Sequence, residues 1–261
     1  MTTEELPAGP APQGRRTIPL TEITLPHECP RPVRLYVLSR APYFRGLGDD
    51  VLSQVDARMS ARSFPAGAAI FREGEEADSL FVVAEGRVKL SNLTAGGTET
   101  VTDLLVPGEL FGSMSTLGEG AHHQTASALV GTCVLRIDQA AFRTVLAEQP
   151  RIALRVLDDV ASRLTRAETD AGSHGSASVE QRVASTLLRL ADKLGEDRGK
   201  QGIVLEVPLS RADLAGLARS TPESVSRVMS RWKKQGLIDS GRRWTALRDR
   251  PRLEELRDAA G

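Results

Sequence analysis

Residues 208–236 read PLSRADLAGLARSTPESVSRVMSRWKKQG, and their pattern predicts two short helices joined by a tight turn. Ser210 is a favourable N-cap for the first helix, because its hydroxyl can accept a hydrogen bond from a free backbone N–H group. Thr221 is a similar cap for the second helix, and Pro222 suits the first helical position. Gly236 then ends the second helix.

The second of these helices has two unlike faces. Four apolar side chains recur at helical spacing and are predicted to be buried: Val225, Val228, Met229 and Trp232. The opposite face carries polar residues: Glu223, Ser226, Arg227, Ser230 and Lys234. An ordinary surface helix would show a similar outer face. The capped pair of helices instead favours a helix-turn-helix, which inserts the N-terminal part of its second helix into the major groove of DNA.

The outer face of the second helix has the chemistry needed to read bases. The forked guanidinium of Arg227 can donate two hydrogen bonds to guanine, and the Glu223 carboxylate can accept one from a cytosine amino group. Ser226 lies on the same face. We therefore predict that Glu223, Ser226 and Arg227 contact base edges in double-stranded DNA.

The residues after the second helix predict a two-stranded wing. Residues 237–238 and 244–247 are apolar-rich runs separated by a turn at residues 239–243. Arg242 and Arg243 in that turn would lie where they can contact DNA phosphates. A plain hairpin without a DNA contact is the alternative.

Charge is distributed unevenly along the chain, although 34 basic and 34 acidic residues give a net charge of zero. Residues 73–119 contain nine acidic and two basic residues, whereas residues 208–250 contain ten basic and four acidic ones. A local basic surface suits a polyanionic partner, and the acidic region would repel one. Charge alone is also compatible with an ordinary solvated surface.

Length and composition restrict the class of protein. A chain of 261 residues is long enough for two domains, and 40% hydrophobic with 26% charged residues is typical of globular proteins. No apolar run approaches the ~20 residues of a membrane helix, and no signal-peptide pattern precedes the first domain. We expect a cytoplasmic protein that does not contact membranes. Two cysteines are too few for a disulfide framework or a four-cysteine metal site.

The N-terminal half predicts a mainly β domain. Residues 1–30 contain six prolines and are interpreted as a disordered extension, and residues 31–59 predict a helical lid. Residues 60–138 contain short apolar runs separated by glycines, a pattern typical of a β-sandwich or barrel. The predicted strand runs are 69–71, 80–84, 88–90, 101–105, 110–111 and 134–137. We assign residues 31–149 to a sensor domain.

A long helix is predicted to connect the two domains, over residues 150–175 with a Gly/Ser-rich hinge at its end. Its apolar residues follow a heptad-like spacing that would form a dimer seam: Ala153, Leu157, Val160, Leu164 and Ala167. The alternative is one amphipathic helix packed on its own domain. The DNA-binding domain is assigned to residues 176–250, and residues 251–261 are interpreted as a C-terminal tail.

The order of these parts resembles the CRP/FNR superfamily of dimeric bacterial transcription regulators over residues 35–247. The matching stretches are Phe64–Gly67, Gly74–Glu75, Leu80–Val88, Pro107–Gly112, Arg182–Ala184, Leu209–Ala215 and Pro222–Arg227. The resemblance implies an α+β fold, with a cyclic-nucleotide-binding-like β-roll, a long dimerisation helix and a C-terminal winged helix-turn-helix. It also implies a homodimer and RNA polymerase as a partner.

The resemblance extends to particular DNA contacts. The Glu-x-x-Ser-Arg spacing of Glu223, Ser226 and Arg227 is similar to the FNR branch, whose members read TTGA-type half-sites arranged as an inverted repeat. The DNA-backbone contacts implied in the same way are Ser210, Arg211 and Thr221. Arg219 departs from the glycine often found in the turn, which puts the geometry of the turn in question.

The effector site departs from the pattern of cyclic-AMP binders. Ser113 stands where a glutamate is expected, residues 122–123 are His-His instead of Arg-Ser, and residues 167–168 are Ala-Glu instead of Thr-Ser. An arginine in that pocket neutralises the cyclic phosphate, so its replacement argues against cyclic AMP. An iron–sulfur cluster needs several N-terminal cysteines, and only Cys29 is present there. No cofactor or metal is assigned.

Three residues are candidate sensors. Cys29-Pro30 resembles a weak signal found in some haem-responsive proteins, and His122 with His123 could ligate a metal. Exposed histidines and a solvated tail cysteine are the commoner situation, and a redox or haem switch at Cys29 is a hypothesis. Cys133 alternates with Leu135 and Ile137 and is predicted to be a core residue.

Two rival functions come from other classes. A cupin-like metal enzyme would need convergent histidine and glutamate ligands, which the adjacent pair His122 and His123 does not supply, and we therefore expect no enzyme. A cyclic-nucleotide-responsive module acting on a protein partner would not need the basic helix-turn-helix.

Overall fold

The computed structural model describes residues 29–94, 96–97, 99–113, 120–173 and 177–259, without the side chains of residue 163 and residues 166–173. Residues 1–28 of the predicted N-terminal extension lie outside the described residues. The chain alternates helices and strands in the order expected for an α+β protein. In the described part of the chain, no helix combines the length and apolar character needed to cross a membrane.

Two helices form the predicted lid: α1 (Arg31–Arg40) and α2 (Asp49–Ala57). Pro30 precedes α1, whose buried residues Val37 and Leu38 face the β-domain core. The guanidinium of Arg34 donates two hydrogen bonds, of 2.7 and 2.9 Å, to the buried carboxylate of Asp56 in α2. This ion pair fixes the two helices against one another.

Eight strands form two facing four-stranded antiparallel sheets, which confirms the β-roll. The strands are β1 (Ser60–Phe64), β2 (Ala69–Phe71), β3 (Ser79–Glu85), β4 (Val88–Leu93), β5 (Glu99–Leu105), β6 (Leu110–Phe111), β7 (Thr125–Ala128) and β8 (Thr132–Asp138). One sheet has the order β1-β8-β3-β6 and the other β2-β7-β4-β5. All six predicted apolar runs lie within strands, and β1 and β7 are additional.

Strand β8 is buried on both faces over residues 132–135, and the half-buried Arg136 separates these residues from buried Ile137. Val134 packs into the cluster between the two sheets together with Phe71 and Phe111. Cys133 and Leu135 point the other way, into the cluster beneath α1 and α2. Cys133 is completely buried, so its predicted role as a small core residue is confirmed.

The connecting helices follow the β-roll. Helix α3 (Gln139–Glu148) begins at Asp138, whose carboxylate accepts a hydrogen bond from the backbone N–H of Ala141 at 2.8 Å. Helix α4 (Pro150–Ser173) is the predicted long helix. Its first turns rest on the β-roll through buried Ile152 and Val156. Residues 174–176 of the predicted hinge lie outside the described residues.

The C-terminal domain combines four helices with a small sheet. Its elements are α5 (Val179–Leu194), β9 (Glu196–Asp197), a 3-10 turn (Gly199–Gln201), β10 (Ile203–Leu205), α6 (Arg211–Leu217), α7 (Pro222–Lys234), β11 (Ile238–Gly241), β12 (Trp244–Leu247) and α8 (Arg250–Asp258). The sheet order is β11-β12-β10-β9, and the antiparallel β11–β12 pair is the predicted wing hairpin.

The prediction of a C-terminal tail over residues 251–261 is wrong for most of that segment. Residues 250–258 form α8, and the side chain of Leu253 is completely buried in the core of the C-terminal domain. The guanidinium of Arg250 is 2.7 Å from the carboxylate of Asp192 in α5. Few apolar residues in this segment signal burial, because only one helical turn of α8 reaches the core.

The C-terminal domain packs directly on the β-roll. Val101 and Leu104 of β5 belong to the same apolar cluster as the buried residues of α5, α6 and α7. A Cβ atom at Gly216 in α6 would lie only 2.7 Å from the backbone nitrogen of Val101, so the two elements touch at their backbones. Lys193 of α5 lies 3.0 Å from the Glu109 carboxylate of the β-roll.

Candidate DNA interface

Helices α6 and α7 form the predicted helix-turn-helix, with the predicted caps. The hydroxyl of Ser210 accepts from the backbone N–H of Asp213 at 3.0 Å, and the Asp213 carboxylate accepts from the backbone N–H of Ser210 at 2.7 Å. The Thr221 hydroxyl accepts from the backbone N–H of Ser224 at 3.3 Å, and Pro222 occupies the first helical position. These caps fix where each helix begins.

The turn between α6 and α7 is built around Arg219. It has a φ of 46°, the only positive value for a residue other than glycine in the described part of the chain. The backbone N–H of Ser220 donates to the carbonyl of Ala215 at 2.8 Å and closes the turn. The turn therefore forms with Arg219 in place of the usual glycine. Arg219 must adopt a left-handed backbone conformation, which is unfavourable for an L-residue.

Replacing Arg219 by glycine is expected to relieve this strain. Arg219→Gly should keep the free energy of unfolding or raise it by up to ~1 kcal/mol, because glycine adopts this conformation without a Cβ clash. Arg219→Val should lower it by ~1–2 kcal/mol, because a branched side chain disfavours the same conformation. Urea unfolding followed by circular dichroism measures both changes, and a glycine variant less stable than the valine variant would contradict this account.

The inner face of α7 is buried as predicted. Val225, Val228, Met229 and Trp232 all lie in the core of the C-terminal domain. Trp232 has no exposed surface, and its indole N–H donates a hydrogen bond to the carboxylate of Glu180 at 2.7 Å. The same carboxylate pairs with Arg231 at 2.6 Å.

Glu180 is a positioning residue for the recognition helix that the sequence did not reveal. It lies in the first turn of α5, where acidic residues are common because they favour the positive end of the helix dipole. No local pattern distinguishes it from such an ordinary residue. Its carboxylate fixes the rotation of α7, and so the direction in which the opposite face of α7 points.

Removal of the Glu180 carboxylate should destabilise the C-terminal domain. Glu180→Ala leaves the buried indole N–H of Trp232 without an acceptor, which should cost ~1–3 kcal/mol of unfolding free energy. Glu180→Gln keeps the acceptor oxygen and should cost less than the alanine variant. Thermal unfolding of the two variants gives the comparison, and equal losses for alanine and glutamine would argue against the hydrogen bond to Trp232.

The outer face of α7 faces solvent. Glu223 and Arg227 are exposed and Ser226 is half-buried. Ser226 and Arg227 line a shallow surface groove together with Ser230, Arg231 and Lys234. The guanidinium of Arg227 makes one long hydrogen bond, of 3.4 Å, to the Ser224 hydroxyl. Among the residues that the structure describes, no carboxylate forms an ion pair with Arg227. Its donors are therefore available to a ligand.

The five residues predicted to contact phosphates differ in how free their side chains are to bind a ligand. Arg242 and Arg243 are exposed at the tip of the wing hairpin, and Thr221 is exposed at the start of α7. The hydroxyl of Ser210 is already engaged with Asp213 in the helix cap. Arg211 is partly buried, and burial lowers its pKa, although an arginine stays charged at neutral pH.

The predicted seam residues whose side chains the structure describes lie on α4 and are half-buried or exposed. Leu157, Val160 and Leu164 are 63%, 45% and 59% exposed, and Ala153 is half-buried beside them. The side chain of Ala167, the last predicted seam residue, lies outside the described residues. Leu154, also exposed, extends the stripe. Ile152 and Val156, which are not seam residues, pack on the β-roll, so the helix also contacts its own domain, and the pairing of two such helices stays a prediction.

Two of the three candidate sensor residues, Cys29 and His122, are less exposed than expected. Cys29 is buried in the same apolar cluster as Cys133, although the two residues lie far apart in the chain and the sequence does not indicate this. His122 is buried with its ring stacked on Phe71 at a centroid distance of 3.6 Å, whereas His123 is exposed. In the described residues no three histidine, cysteine or acidic side chains are grouped to hold a metal.

The resemblance places His122 where cyclic-AMP binders carry arginine, and the surroundings of its ring favour the neutral form by lowering its pKa. Burial lowers its pKa against the opposing effect of the Asp78 and Glu75 carboxylates, and His123 lowers it further. Its Nδ1 atom has no hydrogen-bond partner among the residues that the structure describes. A neutral, stacked ring does not supply the positive charge that a cyclic phosphate requires.

The depressed pKa of His122 predicts a pH dependence of stability. The unfolded chain protonates this histidine near pH 6.5, whereas the folded chain resists protonation, so stability falls as the pH drops below ~6.5. His122→Phe keeps the stack on Phe71 and removes the titration. Urea unfolding at pH 7.5 and pH 5.5 should therefore show a smaller loss for the variant than for the wild type, and equal losses would exclude His122 as the source.

The comparisons with known proteins agree with this architecture. Residues 61–149 match the profile of the cyclic nucleotide-binding domain, and residues 181–256 match that of the Crp-like helix-turn-helix domain. The chain is similar to the cyclic AMP receptor protein of Thermus thermophilus, with 30% identity over 83% of this chain and 96% of the relative. It is 26% identical to a CRP-like cAMP-activated global transcriptional regulator of Mycobacterium tuberculosis, over 83% of this chain and 96% of the relative.

A solved structure gives the same result. FixK2 from Bradyrhizobium japonicum superposes with a TM-score of 0.68 at 28% identity, covering 78% of this chain and 99% of that protein. The fold and the exposed helix-turn-helix thus define a transcriptional regulator that binds DNA. The chain belongs to the CRP/FNR family.

Proposed function

We propose that this regulator acts as a homodimer that reads a TTGA-type inverted repeat with half-sites about one helical turn apart. Each protomer presents α7 to one half-site. Glu223, Ser226 and Arg227 contact base edges, and the residues that contact phosphates are Ser210, Arg211, Thr221, Arg242 and Arg243. The protein acts by binding and not by catalysis.

The availability of Arg227 carries this proposal. An arginine fork reads guanine only if its donors are unpaired and project from a rigid element. Arg227 is exposed, has no carboxylate partner in the described residues, and stands on a helix whose opposite face is fixed by buried Trp232. The arrangement leaves the reading face preorganised before DNA arrives.

The dimer is supported by the exposed stripe on α4. A contiguous patch of large apolar side chains is seldom left exposed to water, and such a patch marks an interaction surface. Leu157 and Leu164 are one heptad apart, which is the spacing of a paired helical seam. A second copy of α4 across a two-fold axis would cover them and place two recognition helices symmetrically.

The effector is proposed to differ from cyclic AMP, or the protein needs no small-molecule effector. Neutral His122 at the position of the phosphate-binding arginine supports this. We further propose the cytoplasm as the location and RNA polymerase as a partner. The proposed division is a sensor domain over residues 31–149, a dimerisation helix and hinge over residues 150–175, and a DNA-binding domain from residue 176 that includes α8.

Fluorescence anisotropy with labelled duplexes tests the proposal. One duplex carries a TTGA-type inverted repeat with half-site centres about one turn apart, and the control carries the same bases with both half-sites scrambled. At physiological salt the repeat should bind at least ~1,000-fold more tightly. Equal affinity for the two duplexes would refute sequence-specific recognition of this repeat and favour a role in regulating a protein partner.

A further inference from the structure

Three successive side chains in the first turn of α5 each reach a different part of the C-terminal domain. The carboxylate of Glu180 accepts the hydrogen bond from Trp232 of α7. The amide of Gln181 donates to the carbonyl of Ala259, the residue that follows α8. The guanidinium of Arg182 reaches the turn between α6 and α7. The beginning of α5 is therefore fixed relative to the three other helices of the domain.

The guanidinium of Arg182 joins two carbonyl groups that are distant in the chain. Its Nε atom donates to the carbonyl of Ala218 at 3.1 Å, and its Nη1 atom donates to the carbonyl of Ala177 at 2.5 Å. Ala218 is the C-cap of α6 and immediately precedes Arg219, the residue with positive φ. Ala177 immediately precedes Ser178, the N-cap of α5, and is the first described residue after α4. One side chain thus links the entry into the C-terminal domain to the turn of the helix-turn-helix.

A second residue of α5 shows what ordinary capping of α6 looks like. The last carbonyls of an α-helix lack intrahelical donors and are often satisfied by side chains. The hydroxyl of buried Thr186, one turn after Arg182, donates to the carbonyl of Leu217 at 3.4 Å. A hydroxyl has one hydrogen to donate, so this bond holds α6 alone, whereas the forked guanidinium of Arg182 holds two segments at once.

The link acts on the element that orients the DNA-binding surface. The chain passes from α4, which carries the proposed dimer seam, into the C-terminal domain through Ala177. Helix α6, bound at its end by Arg182, is also the helix whose Gly216 lies against the backbone of Val101 in β5. In a symmetric dimer, the orientation of the two recognition helices determines the distance between the half-sites. A rigid connection accepts one distance, and a loose connection accepts several.

We propose that Arg182 is a positioning residue that sets the half-site spacing accepted by the dimer, because it ties the entry of the C-terminal domain to the turn of the helix-turn-helix. The inference rests on the proposed dimer and inverted repeat. Arg182 is half-buried and its bonded nitrogen atoms are directed to backbone carbonyls of its own domain. It therefore acts through the orientation of α6 and α7, and contacts neither bases nor phosphates.

Fluorescence anisotropy with three duplexes tests the proposal. The reference duplex carries the inverted repeat with half-site centres about one helical turn apart, and the other two carry one or two base pairs added between the half-sites. Each added base pair moves a half-site by ~3.4 Å along the duplex and rotates it by ~35°. Wild-type protein should bind the reference at least ~100-fold more tightly than the duplex with two added base pairs, because only one half-site is then engaged.

Two substitutions of Arg182 remove its donors to different extents. Arg182→Met keeps a long apolar stem without any donor, and the preference for the reference spacing should fall by at least ~10-fold relative to the wild type. Arg182→Lys keeps the charge and one donor nitrogen but lacks the fork, and should give an intermediate preference. Circular dichroism verifies folding, and the lysine variant carries the test if the methionine variant does not fold.

Thr186→Val is the matched control. It removes the bond from α5 to Leu217 and leaves the link to Ala177 in place. Thermal unfolding should show a loss of stability in this variant, as in Arg182→Met, because both lose a hydrogen bond to the end of α6. The spacing preference of Thr186→Val should remain that of the wild type, so the preference separates positioning from stability.

The possible contrary results have different meanings. An Arg182→Met protein with the wild-type spacing preference would overturn the inference and leave the proposed function standing. An equal loss of preference in Thr186→Val would reduce the role of Arg182 to stabilising the domain. A weaker dependence of affinity on salt in Arg182→Met would instead assign it a phosphate contact. A wild type that binds all three duplexes equally would refute the proposed repeat and this inference together.

Discussion

Arg227→Ala is expected to abolish most of the preference of the protein for one base in each half-site. A bidentate contact between arginine and guanine contributes ~1–3 kcal/mol of discrimination, and a symmetric dimer makes it twice, so the loss should be ~2–6 kcal/mol per complex. Arg227 is exposed and pairs with no carboxylate in the described residues, so its removal should not unfold the domain. Anisotropy with the repeat and with a duplex altered at the contacted base in both half-sites measures the change.

The wing arginines supply the matched control for this result. Arg242→Ala combined with Arg243→Ala should weaken binding to both duplexes by a similar factor and reduce the dependence of affinity on salt, because phosphate contacts carry no sequence information. Undiminished discrimination by Arg227→Ala would contradict its role in reading bases. Loss of discrimination in the wing variant would show that the wing also reads sequence.

The largest effect on assembly is expected from the exposed stripe of α4. Leu157→Asp combined with Leu164→Asp should convert the dimer to a monomer, since four carboxylates would then face one another across the seam. Both leucines are mainly exposed in the single protomer, so the fold should be retained. A monomer engages only one half-site, and its affinity for the inverted repeat should fall by at least ~100-fold.

Light scattering coupled to gel filtration measures the assembly directly. Ser162→Asp adds a negative charge to a part of α4 that lies away from the stripe, and this control variant should remain dimeric. A double leucine variant that stays dimeric with unchanged affinity would place the interface elsewhere on the molecule.

The local features of the DNA interface could be predicted from the sequence because local chemistry determines them. The hydroxyl caps at Ser210 and Thr221 begin the two helices, and the apolar stripe that ends in Trp232 determines which face of α7 is buried. The outward direction of Arg227 follows from the same periodicity. The β-roll was predictable for a similar reason, since each apolar run between glycines forms a strand.

Features that depend on contacts between distant segments were not predictable in this way. The burial of Cys29 in the apolar cluster that contains Cys133 and the hydrogen bond from Trp232 to Glu180 both involve residues far apart in the chain, and neither has a local signature. Strand β7 (Thr125–Ala128) was missed because its residues are small or polar and it depends on its neighbours for burial. Helix α8 was taken for a tail because only Leu253 is fully buried.

Sequence patterns also did not predict the contact between the two domains. Gly216 allows α6 to approach β5 at backbone distance, and a glycine within a helix has no such meaning until its neighbour is known. In the sequence, the acidic residues of the β-roll indicated only a region that would repel phosphate. One of them, Glu109, forms an ion pair with Lys193 of the C-terminal domain. Charge asymmetry between the domains therefore also contributes to their docking.

Selection of bound DNA from a random library by the purified protein tests the central claim most directly. A symmetric pair of exposed recognition helices should enrich a two-fold symmetric motif whose TTGA-type half-sites are centred about one helical turn apart. The Arg227→Ala protein, selected in parallel, should enrich the same spacing with one base position relaxed in each half. Enrichment of no motif, or of a single unpaired half-site, would contradict the account.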